Sequence, residues 1–307
     1  MTQRVAAIDC GTNSIRLLVA DVNAGRLIDV VRRMEIVRLG QDVDRTGRLA
    51  APAIERTRRA LAAYAAQIRD LRVDRVRMVA TSASRDASNA GEFRAMVVET
   101  LGVPPEVVSG QEEARLSFTG AVRGLPRDVD PPYLVVDIGG GSTEFVLGSS
   151  TVDMVTAVSV DIGCVRMTER HLHGDPPTPA ELAAAEADVV AAVDRALAVV
   201  PGRLAGTLIG LAGSVTTVAA IALGLDRYDP VRIHQCRVSY SDVAKVTGDL
   251  LAMTRTRRLA MPVMHPGRAD VIGAGALILR VVMERVRAAS VIASEHDILD
   301  GIAWSMA

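Results

Sequence analysis

Two glycine-rich stretches of this sequence combine residue types that can bind phosphate and a divalent cation. "DIGGGSTEFVLG" spans residues 137–148, and "DCGTNSIRLLV" spans residues 9–19. Glycine is costly to order, so a run of glycines indicates that a ligand or another backbone comes close. Successive backbone N–H groups in such turns form a concave anion site, and hydroxyl and amide side chains add donors. The candidate phosphate-binding residues are Gly11, Thr12, Asn13, Ser14, Gly139, Gly140, Gly141, Ser142 and Thr143.

Acidic residues flank both stretches. Asp9, Asp137 and Glu144 offer oxygen ligands of the type that Mg²⁺ prefers. They predict a Mg²⁺ (or Mn²⁺) site, because a carboxylate beside a phosphate is repulsive unless a cation lies between them. Two simpler interpretations stay open. The triple glycine is also typical of a tight hairpin turn, and Asp9 is in a position where aspartate commonly caps a turn.

The two stretches repeat each other, and this predicts the elements that position them. Each follows an apolar strand and leads into another strand. The repeat predicts an α/β protein with two similar domains facing each other across a cleft. We place these domains at residues 1–127 and 128–307, and we expect the final helix, about 296–306, to pack back on the first domain. The aligned residues are Asp9, Gly11, Asn13 and Ser14 with Asp137, Gly139, Gly141 and Ser142.

Hydrophobic spacing predicts several elements around the loops. Apolar residues at helical intervals predict a helix over 51–71, and residues 81–87 read as a polar loop. Residues 204–225 carry no charge, but glycine, serine and threonine dilute them. We interpret this segment as a buried strand at 207–211 and, after a Gly-Ser turn, a buried helix at about 214–223, rather than a membrane span.

Composition excludes several classes of protein. The net charge of -1 gives no electrostatic case for nucleic acid or an anionic membrane, and aromatic residues make up only 3%. Lys245 is the only lysine, so the chain has no P-loop of the G-x-x-x-x-G-K-[ST] type. Cys10, Cys164 and Cys236 are far apart, which disfavours disulfides and zinc and favours a cytoplasmic protein. We also see no signal peptide.

Several blocks of the sequence, taken together, resemble one known family. "AAIDCGTNSIRLLV", "ATSASRDASN", "VVSGQEEARLSFTGAV", "VVDIGGGSTEFVLG", "LAGSVTTVAA" and "RADVIGAGALIL" are similar, in order, to the blocks of the Ppx/GppA phosphatases. The resemblance covers essentially the whole chain and is to the short, two-domain exopolyphosphatases of actinobacterial type. It implies the duplicated actin-like ATPase fold, that is, the ribonuclease H-like fold of acetate and sugar kinases, Hsp70 and actin.

The resemblance also implies roles for individual residues. Glu113 would be the general base for the attacking water, and Arg85 would clamp phosphate, for which arginine is well suited. Asp137 would be the metal ligand, with Glu144 nearby. Gly213 and Ser214 would form a phosphate-binding loop of the second domain. From the residues alone, Glu113 is better explained as a solvated glutamate at a helix start, and Arg85 can also be an ion-pair partner of the adjacent Asp86.

The spacing around Glu113 adds one independent expectation. Ser109 can cap the helix that follows it, and Glu112 is three residues further on, as in a capping box. Glu112 would then close the box and leave Glu113 available for chemistry.

The function implied is Mg²⁺-dependent hydrolysis of the terminal phosphoanhydride of inorganic polyphosphate, with release of orthophosphate. The alternatives are a guanosine pentaphosphate (pppGpp) phosphohydrolase and a non-catalytic sensor of polyphosphate or of the alarmones pppGpp and ppGpp. The aromatic residues form no evident cluster for a guanine base, which favours polyphosphate. The resemblance further implies a homodimer. The arginines of the C-terminal third are either a track for the substrate chain or a solvated face: Arg255, Arg257, Arg258 and Arg268.

Overall fold

The computed structural model of the chain describes residues 2–23, 25–126, 128–150 and 154–307. Arg127, the last residue of the predicted first domain, lies outside these ranges. The elements up to residue 122 are β1 (Gln3–Cys10), β2 (Ser14–Asn23), β3 (Arg26–Ile36), α1 (Val43–Thr46), α2 (Ala51–Asp70), β4 (Arg75–Ala80), α3 (Ser82–Asp86), α4 (Ala90–Leu101), β5 (Glu106–Val107) and α5 (Gly110–Val122). The later elements are β6 (Tyr133–Ile138), β7 (Thr143–Gly148), β8 (Met154–Val160), α6 (Cys164–His171), α7 (Pro179–Val199), β9 (Thr207–Leu211), α8 (Ala212–Ala222), α9 (Pro230–Ile233), β10 (Arg237–Ser239), α10 (Tyr240–Ala252), α11 (Arg255–Leu259), α12 (Ile272–Val286), β11 (Ser290–Ala293) and α13 (Ile298–Trp304).

The chain forms two compact units. The first comprises Met1–Gly120 together with Ile298–Ala307, and the second comprises Ala121–Asp297. The proline-rich segment 124–133 therefore belongs to the second unit. Helix α13 belongs to the first unit, because Leu299 and Ile302 of this helix pack on Ala7 and Leu18 of its sheet.

Each unit is built on one sheet, and five strands have the same arrangement in both sheets, whereas β10 is an additional edge strand of the second. The first has the strand order β3-β2-β1-β4-β5, in which β1 pairs antiparallel with β2 and parallel with β4. The second has the order β10-β11-β9-β6-β7-β8, in which β6 pairs antiparallel with β7 and parallel with β9. Strands β6, β7, β8, β9 and β11 thus correspond to β1, β2, β3, β4 and β5. The protein has two similar α/β units, as the internal repeat predicts, and their topology is the duplicated actin-like fold that the family resemblance implies.

Alternation along β1 explains how helices cover both faces of the first sheet. Successive side chains of a strand point to opposite faces. Ile8 packs in one cluster with Tyr64 of α2 and Phe93 of α4. Val5, on the other face, packs in a second cluster with Ile302 of α13. The predicted helix over 51–71 is confirmed as α2. The Tyr64 hydroxyl of this helix donates to the Ile15 carbonyl oxygen of β2 over 3.1 Å.

The uncharged segment 204–225 forms part of the core of the second unit. Strand β9 occupies residues 207–211 as predicted, and all five of its residues are buried. Helix α8 begins at Ala212, directly after the strand, so the predicted Gly-Ser turn is absent from the described chain. Ala212 makes this tight change of direction with a left-handed φ of 67°. Within the described part of the chain, no helix is long and apolar enough to cross a membrane.

Candidate phosphate and metal site

The two glycine-rich loops adopt the same turn. The Gly11 amide donates to the Ser14 carbonyl oxygen over 2.9 Å, and the Gly139 amide donates to the Ser142 carbonyl oxygen over 3.0 Å. Both turns lie at the end of a central strand, between the two arms of an antiparallel hairpin. The repeat found in the sequence is therefore also a repeat of backbone geometry.

The second loop directs its carbonyl groups towards helix α6. The Gly139 oxygen accepts from the Cys164 amide over 2.9 Å, and the Gly140 oxygen accepts from the Val165 amide over 2.9 Å. Arg166 Nε donates to the Gly141 oxygen over 2.7 Å. In a trans peptide the C=O and the next N–H point in opposite directions. The next three N–H groups, of residues 140–142, therefore point away from α6 and can face an anion.

The first loop is held by the segments that follow β3 and β4. The Gly40 amide donates to the Thr12 carbonyl oxygen over 2.8 Å, and the Arg38 amide donates to the Asn13 oxygen over 2.9 Å. The Thr12 hydroxyl is hydrogen-bonded to the hydroxyl of Ser82 at 2.9 Å. The side-chain oxygen of Asn13 is buried and has no hydrogen-bond partner among the described residues. Such an orphaned acceptor at the turn is consistent with a ligand site.

Asp9 and Arg16 face each other across the first hairpin. They are paired in the register of β1 and β2, and both nitrogens of the guanidinium fork, Nη2 and Nε, donate to Asp9 Oδ2 over 2.7 and 3.0 Å. Asp9 is buried, with 4% of its surface exposed. Sequence reasoning did not single out Arg16. Its guanidinium already offsets the charge of Asp9, so the first hairpin has less need of a cation than the prediction assumed.

Asp137 and Glu144 occupy the same ladder position in the second hairpin. Both carboxylates are buried, with 7% and 2% of their surfaces exposed. Ser159 of β8, also not foreseen, donates to Glu144 Oε1 over 2.7 Å. Residues directly opposite in an antiparallel pair lie on the same face about 5 Å apart, and like charges there repel. A divalent cation that binds both carboxylates relieves this repulsion.

The carboxylates of the second hairpin fit a magnesium site that is completed by other oxygens. Among the described residues, no group of three or more His, Cys, Asp and Glu side chains is arranged to hold a metal. Mg²⁺ commonly takes only one or two carboxylates from a protein and keeps water or substrate phosphate as its remaining ligands. Asp137 and Glu144 meet that requirement.

Glu113 is buried and forms an ion pair with the partly exposed Arg85. Arg85 Nη1 is 3.1 Å from Glu113 Oε2 and also donates to the Val108 carbonyl oxygen over 3.1 Å. Only 7% of Glu113 is exposed, so the interpretation as an ordinary solvated glutamate is wrong. The separation of Arg85 Nε from Asp86 Oδ1 is 4.0 Å, longer than the contact with Glu113. The structure thus brings together the two residues that the family resemblance had selected.

Ser109 and Glu112 form only part of the predicted capping arrangement. The Glu112 amide donates to Ser109 Oγ over 3.2 Å, as expected for a helix cap. Its carboxylate instead forms a bidentate pair with Arg115, with both hydrogen bonds at 2.8 Å. The hydrogen bond with Arg115 lowers the pKa of Glu112. Glu112 is therefore turned away from its own cap, and Glu113 is the glutamate directed at Arg85.

Residues 81–87, predicted as a loop, contain the short helix α3 that carries Arg85. The Thr81 amide donates to the Cys10 carbonyl oxygen over 3.2 Å, which ties the end of β4 to the first loop. The loop, Arg85 and Glu113 of the first unit therefore lie at the carboxyl ends of β1 and β4, the edge at which open α/β sheets bind ligands.

The third predicted phosphate loop, Gly213–Ser214, is the first turn of α8. The guanidinium of Arg268 packs directly over this turn, because a Cβ atom at Gly213 would lie 2.2 Å from Cζ of Arg268. The hydroxyl of Ser214 faces α12 instead, since a Cβ atom at Gly275 would lie 2.1 Å from it. It also hydrogen-bonds Cys164, whose pKa is raised by burial and only partly lowered by this bond.

The four arginines of the C-terminal third do not share one solvated face. Arg255 and Arg257 are exposed. Arg258 is buried and lies 3.4 Å from Asp175, and its pKa is lowered by burial. Arg268 is half-buried over Gly213. Arg268 is thus the only one of the four whose position, within the described chain, adjoins a predicted phosphate loop.

The duplicated sheets and the paired glycine-rich turns define an actin-like α/β protein. The chain belongs to the Ppx/GppA phosphatase family, whose sequence model matches residues 18–307.

Relatives of this chain support that assignment over its whole length. It is 52% identical to the protein named Exopolyphosphatase 2 of Mycobacterium tuberculosis, over 99% of this chain and 98% of the relative. A crystal structure of an exopolyphosphatase-like protein is 45% identical, with a TM-score of 0.96 and coverage of 99% of this chain and 98% of that chain. The structure of the Aquifex aeolicus PPX-GPPA enzyme is 32% identical, with a TM-score of 0.83 and coverage of 99% and 100%.

Proposed function

We propose that this protein is an exopolyphosphatase that removes orthophosphate from the end of inorganic polyphosphate with the help of Mg²⁺ or Mn²⁺. The observation that carries the proposal is the full-length similarity to Exopolyphosphatase 2, at 52% identity. The contacts within each unit support it, because they supply phosphate donors, a buried carboxylate and a candidate metal site.

The first unit supplies the groups that act on the attacking water. Glu113 accepts a proton from water as the new P–O bond forms, and the P–O bond to the rest of the chain breaks. The shortened chain leaves as a stable anion and needs little acid catalysis. Arg85, 3.1 Å from Glu113, orients this carboxylate and offers a planar fork of donors to phosphate oxygens. General base catalysis of this kind contributes about 10²- to 10⁴-fold.

The second unit supplies groups that bind charge. The N–H groups of residues 140–142 point away from α6 and would donate hydrogen bonds to phosphate oxygens. Asp137 and Glu144 would hold the cation. When bound, Mg²⁺ supplies positive charge that offsets the negative charge on the phosphate oxygens. Arg268, held over the first turn of α8, adds a further cationic group beside Gly213.

The first test is Mg²⁺-dependent orthophosphate release from short polyphosphate, with pppGpp as a second substrate. Glu113→Gln should lower kcat by 10²- to 10⁴-fold on the basis of the general-base contribution. Glu112→Gln is the matched control, because the neighbouring glutamate pairs with Arg115 and should leave kcat within about threefold.

The outcomes separate the candidate functions. Faster release from pppGpp than from polyphosphate would assign the alarmone hydrolase instead. Saturable binding of either compound without any release would assign a sensor. Equal loss in the Glu112 and Glu113 variants would contradict the proposed role of Glu113.

A second test addresses the metal without relying on activity. Ligands that bind only the folded state raise the unfolding temperature by mass action. We expect Mg²⁺ to raise the unfolding temperature of the wild type, and Asp137→Asn to reduce that increase. An unchanged increase in the variant would place the cation elsewhere.

A further inference from the structure

A pocket of about 520 Å³ lies at the other edge of the second sheet. It is lined by residues at the starts of three strands, among them Leu134 of β6, Thr207 of β9 and Ser290 of β11. The loop 139–143 follows the end of β6. A strand of six residues is about 20 Å long, so the pocket is separated from the candidate phosphate loops of this unit by the length of the sheet. It is therefore distinct from the glycine-rich loop of the second unit.

The charged side chains that line this pocket are all positive. Three arginines line it, and its described lining contains no aspartate or glutamate: Arg203, Arg237 and Arg287. Arginine remains protonated at neutral pH, so the lining carries three positive charges. These charges would attract an anion that enters the pocket.

Two of the arginines are held in place by the surrounding structure. Arg203 Nε donates to the Arg285 carbonyl oxygen over 3.1 Å, which offsets the partial negative charge at the C-terminal end of α12. Arg237 Nη1 donates to Ser290 Oγ over 3.1 Å. Each of these bonds uses one of the five N–H groups of a guanidinium, so most donors of both side chains are available to a ligand.

The size and lining of the pocket favour a phosphate chain. Pockets for small molecules typically enclose about 300–1,000 Å³, and this one is within that range. Arginine binds phosphate oxygens through two parallel hydrogen bonds. The described lining has no aromatic side chain on which a nucleobase would stack. The recognised part of the ligand is therefore the chain of phosphoryl groups.

We propose that Arg203, Arg237 and Arg287 form a second phosphate-chain site, which takes two or three linked phosphoryl groups of inorganic polyphosphate or of a nucleoside triphosphate. This goes beyond the proposed hydrolysis, and binding at this site does not require it. A chain bound here would be held at the opposite end of the second sheet from the loop 139–143.

Hydrogen–deuterium exchange of the intact protein tests the site directly. With EDTA present to prevent hydrolysis, tripolyphosphate should slow exchange in residues 202–208 and 286–290, and sodium sulfate at equal ionic strength should not. The double variant Arg237→Gln/Arg287→Gln should raise the half-saturating concentration at least tenfold, which is about 1.4 kcal/mol. Arg195→Gln is the control, because Arg195 is exposed on α7 and is not in the pocket lining.

Each outcome of this experiment bears on the proposal. The proposal is overturned if tripolyphosphate does not slow exchange saturably in these residues, or if it slows exchange equally in the double variant. Equal half-saturation by tripolyphosphate and a nucleoside triphosphate would show that only the phosphate chain is recognised, whereas tighter binding of the nucleotide would add a contact with the nucleoside. Slower exchange in residues 137–144 would report binding at the glycine-rich loop instead. The exchange data therefore distinguish a failure of this proposal from a failure of the proposed function.

Discussion

Gly163 sets the position of the second glycine-rich loop. It immediately precedes α6, and a Cβ atom there would lie 2.4 Å from both the carbonyl carbon and the carbonyl oxygen of Gly140 and 2.6 Å from the nitrogen of Gly141. All three atoms are backbone atoms, so a side-chain rotation cannot relieve the clash. The backbone of Gly163 is extended, with φ of -153°, and alanine would therefore add a steric contact without dihedral strain.

The size of the effect follows from these distances. Ordinary van der Waals contact begins near 3.4 Å, so Gly163→Ala must move the loop away from α6 by about 1 Å. A misplacement of about 1 Å in a group that positions substrate can cost about 10²-fold in rate. Overpacking of this kind also lowers the free energy of unfolding by about 1–3 kcal/mol.

The assay is kcat/KM for orthophosphate release from short polyphosphate, together with urea unfolding. We expect kcat/KM to fall about 10²-fold while the variant remains folded. Gly248→Ala is the control, because Gly248 is exposed on α10 and nothing lies within 4 Å of the added methyl group. It should leave kcat/KM unchanged and stabilise the helix by about 0.5–1 kcal/mol. Wild-type kcat/KM in Gly163→Ala would refute the argument that this loop positions phosphate.

Three further outcomes follow from buried or paired groups. Arg16→Met removes the guanidinium from the buried carboxylate of Asp9 and should lower the free energy of unfolding in urea by about 3 kcal/mol; a loss below about 1 kcal/mol would contradict a buried pair. Burial raises the pKa of the Cys236 thiol, so a thiol reagent at pH 8 should modify it more slowly in the folded than in the urea-unfolded protein, and equal rates would contradict this. Burial alone would raise the pKa of Asp188, but hydrogen bonds from a histidine and an arginine outweigh it and lower the pKa. The ionised Asp188 therefore stabilises the folded state above its unfolded pKa of about 3.9, and this stabilisation is lost as the pH falls. Asp188→Asn should lower the free energy of unfolding by less than about 1 kcal/mol at pH 7 and leave it unchanged near pH 2. Thermal unfolding at the two pH values measures both effects.

The parts of the fold that the sequence predicts are those with local signals. The repeated strand–loop–strand pattern is read directly from "DCGTNSI" and "DIGGGSTEF", and it fixes both hairpins. Helices as long as α2 show a clear apolar period. Helices α1 and α3 have only four and five residues, too few to show a period, so sequence reasoning missed them.

In the candidate site, too, the sequence predicts local contacts but not long-range ones. The pairing of Asp9 with Arg16 follows from counting outward from the turn at residues 12 and 13, so the sequence contained the signal for it. The ion pair of Arg85 with Glu113 joins residues 28 positions apart, on two different helices. No periodicity predicts which arginine meets which glutamate, because tertiary packing decides it. The arginine pocket depends in the same way on three distant segments.

The two duplicated hairpins differ in charge at one position, and this difference affects how each one binds an anion. At the same ladder position, the first copy has an aspartate opposite an arginine, and the second has an aspartate opposite a glutamate. The first pair combines a carboxylate with a guanidinium, and the second combines two carboxylates. A single charge reversal between two otherwise similar hairpins therefore makes the two copies electrostatically unequal. We expect anion binding at the second loop to depend more strongly on a divalent cation than anion binding at the first.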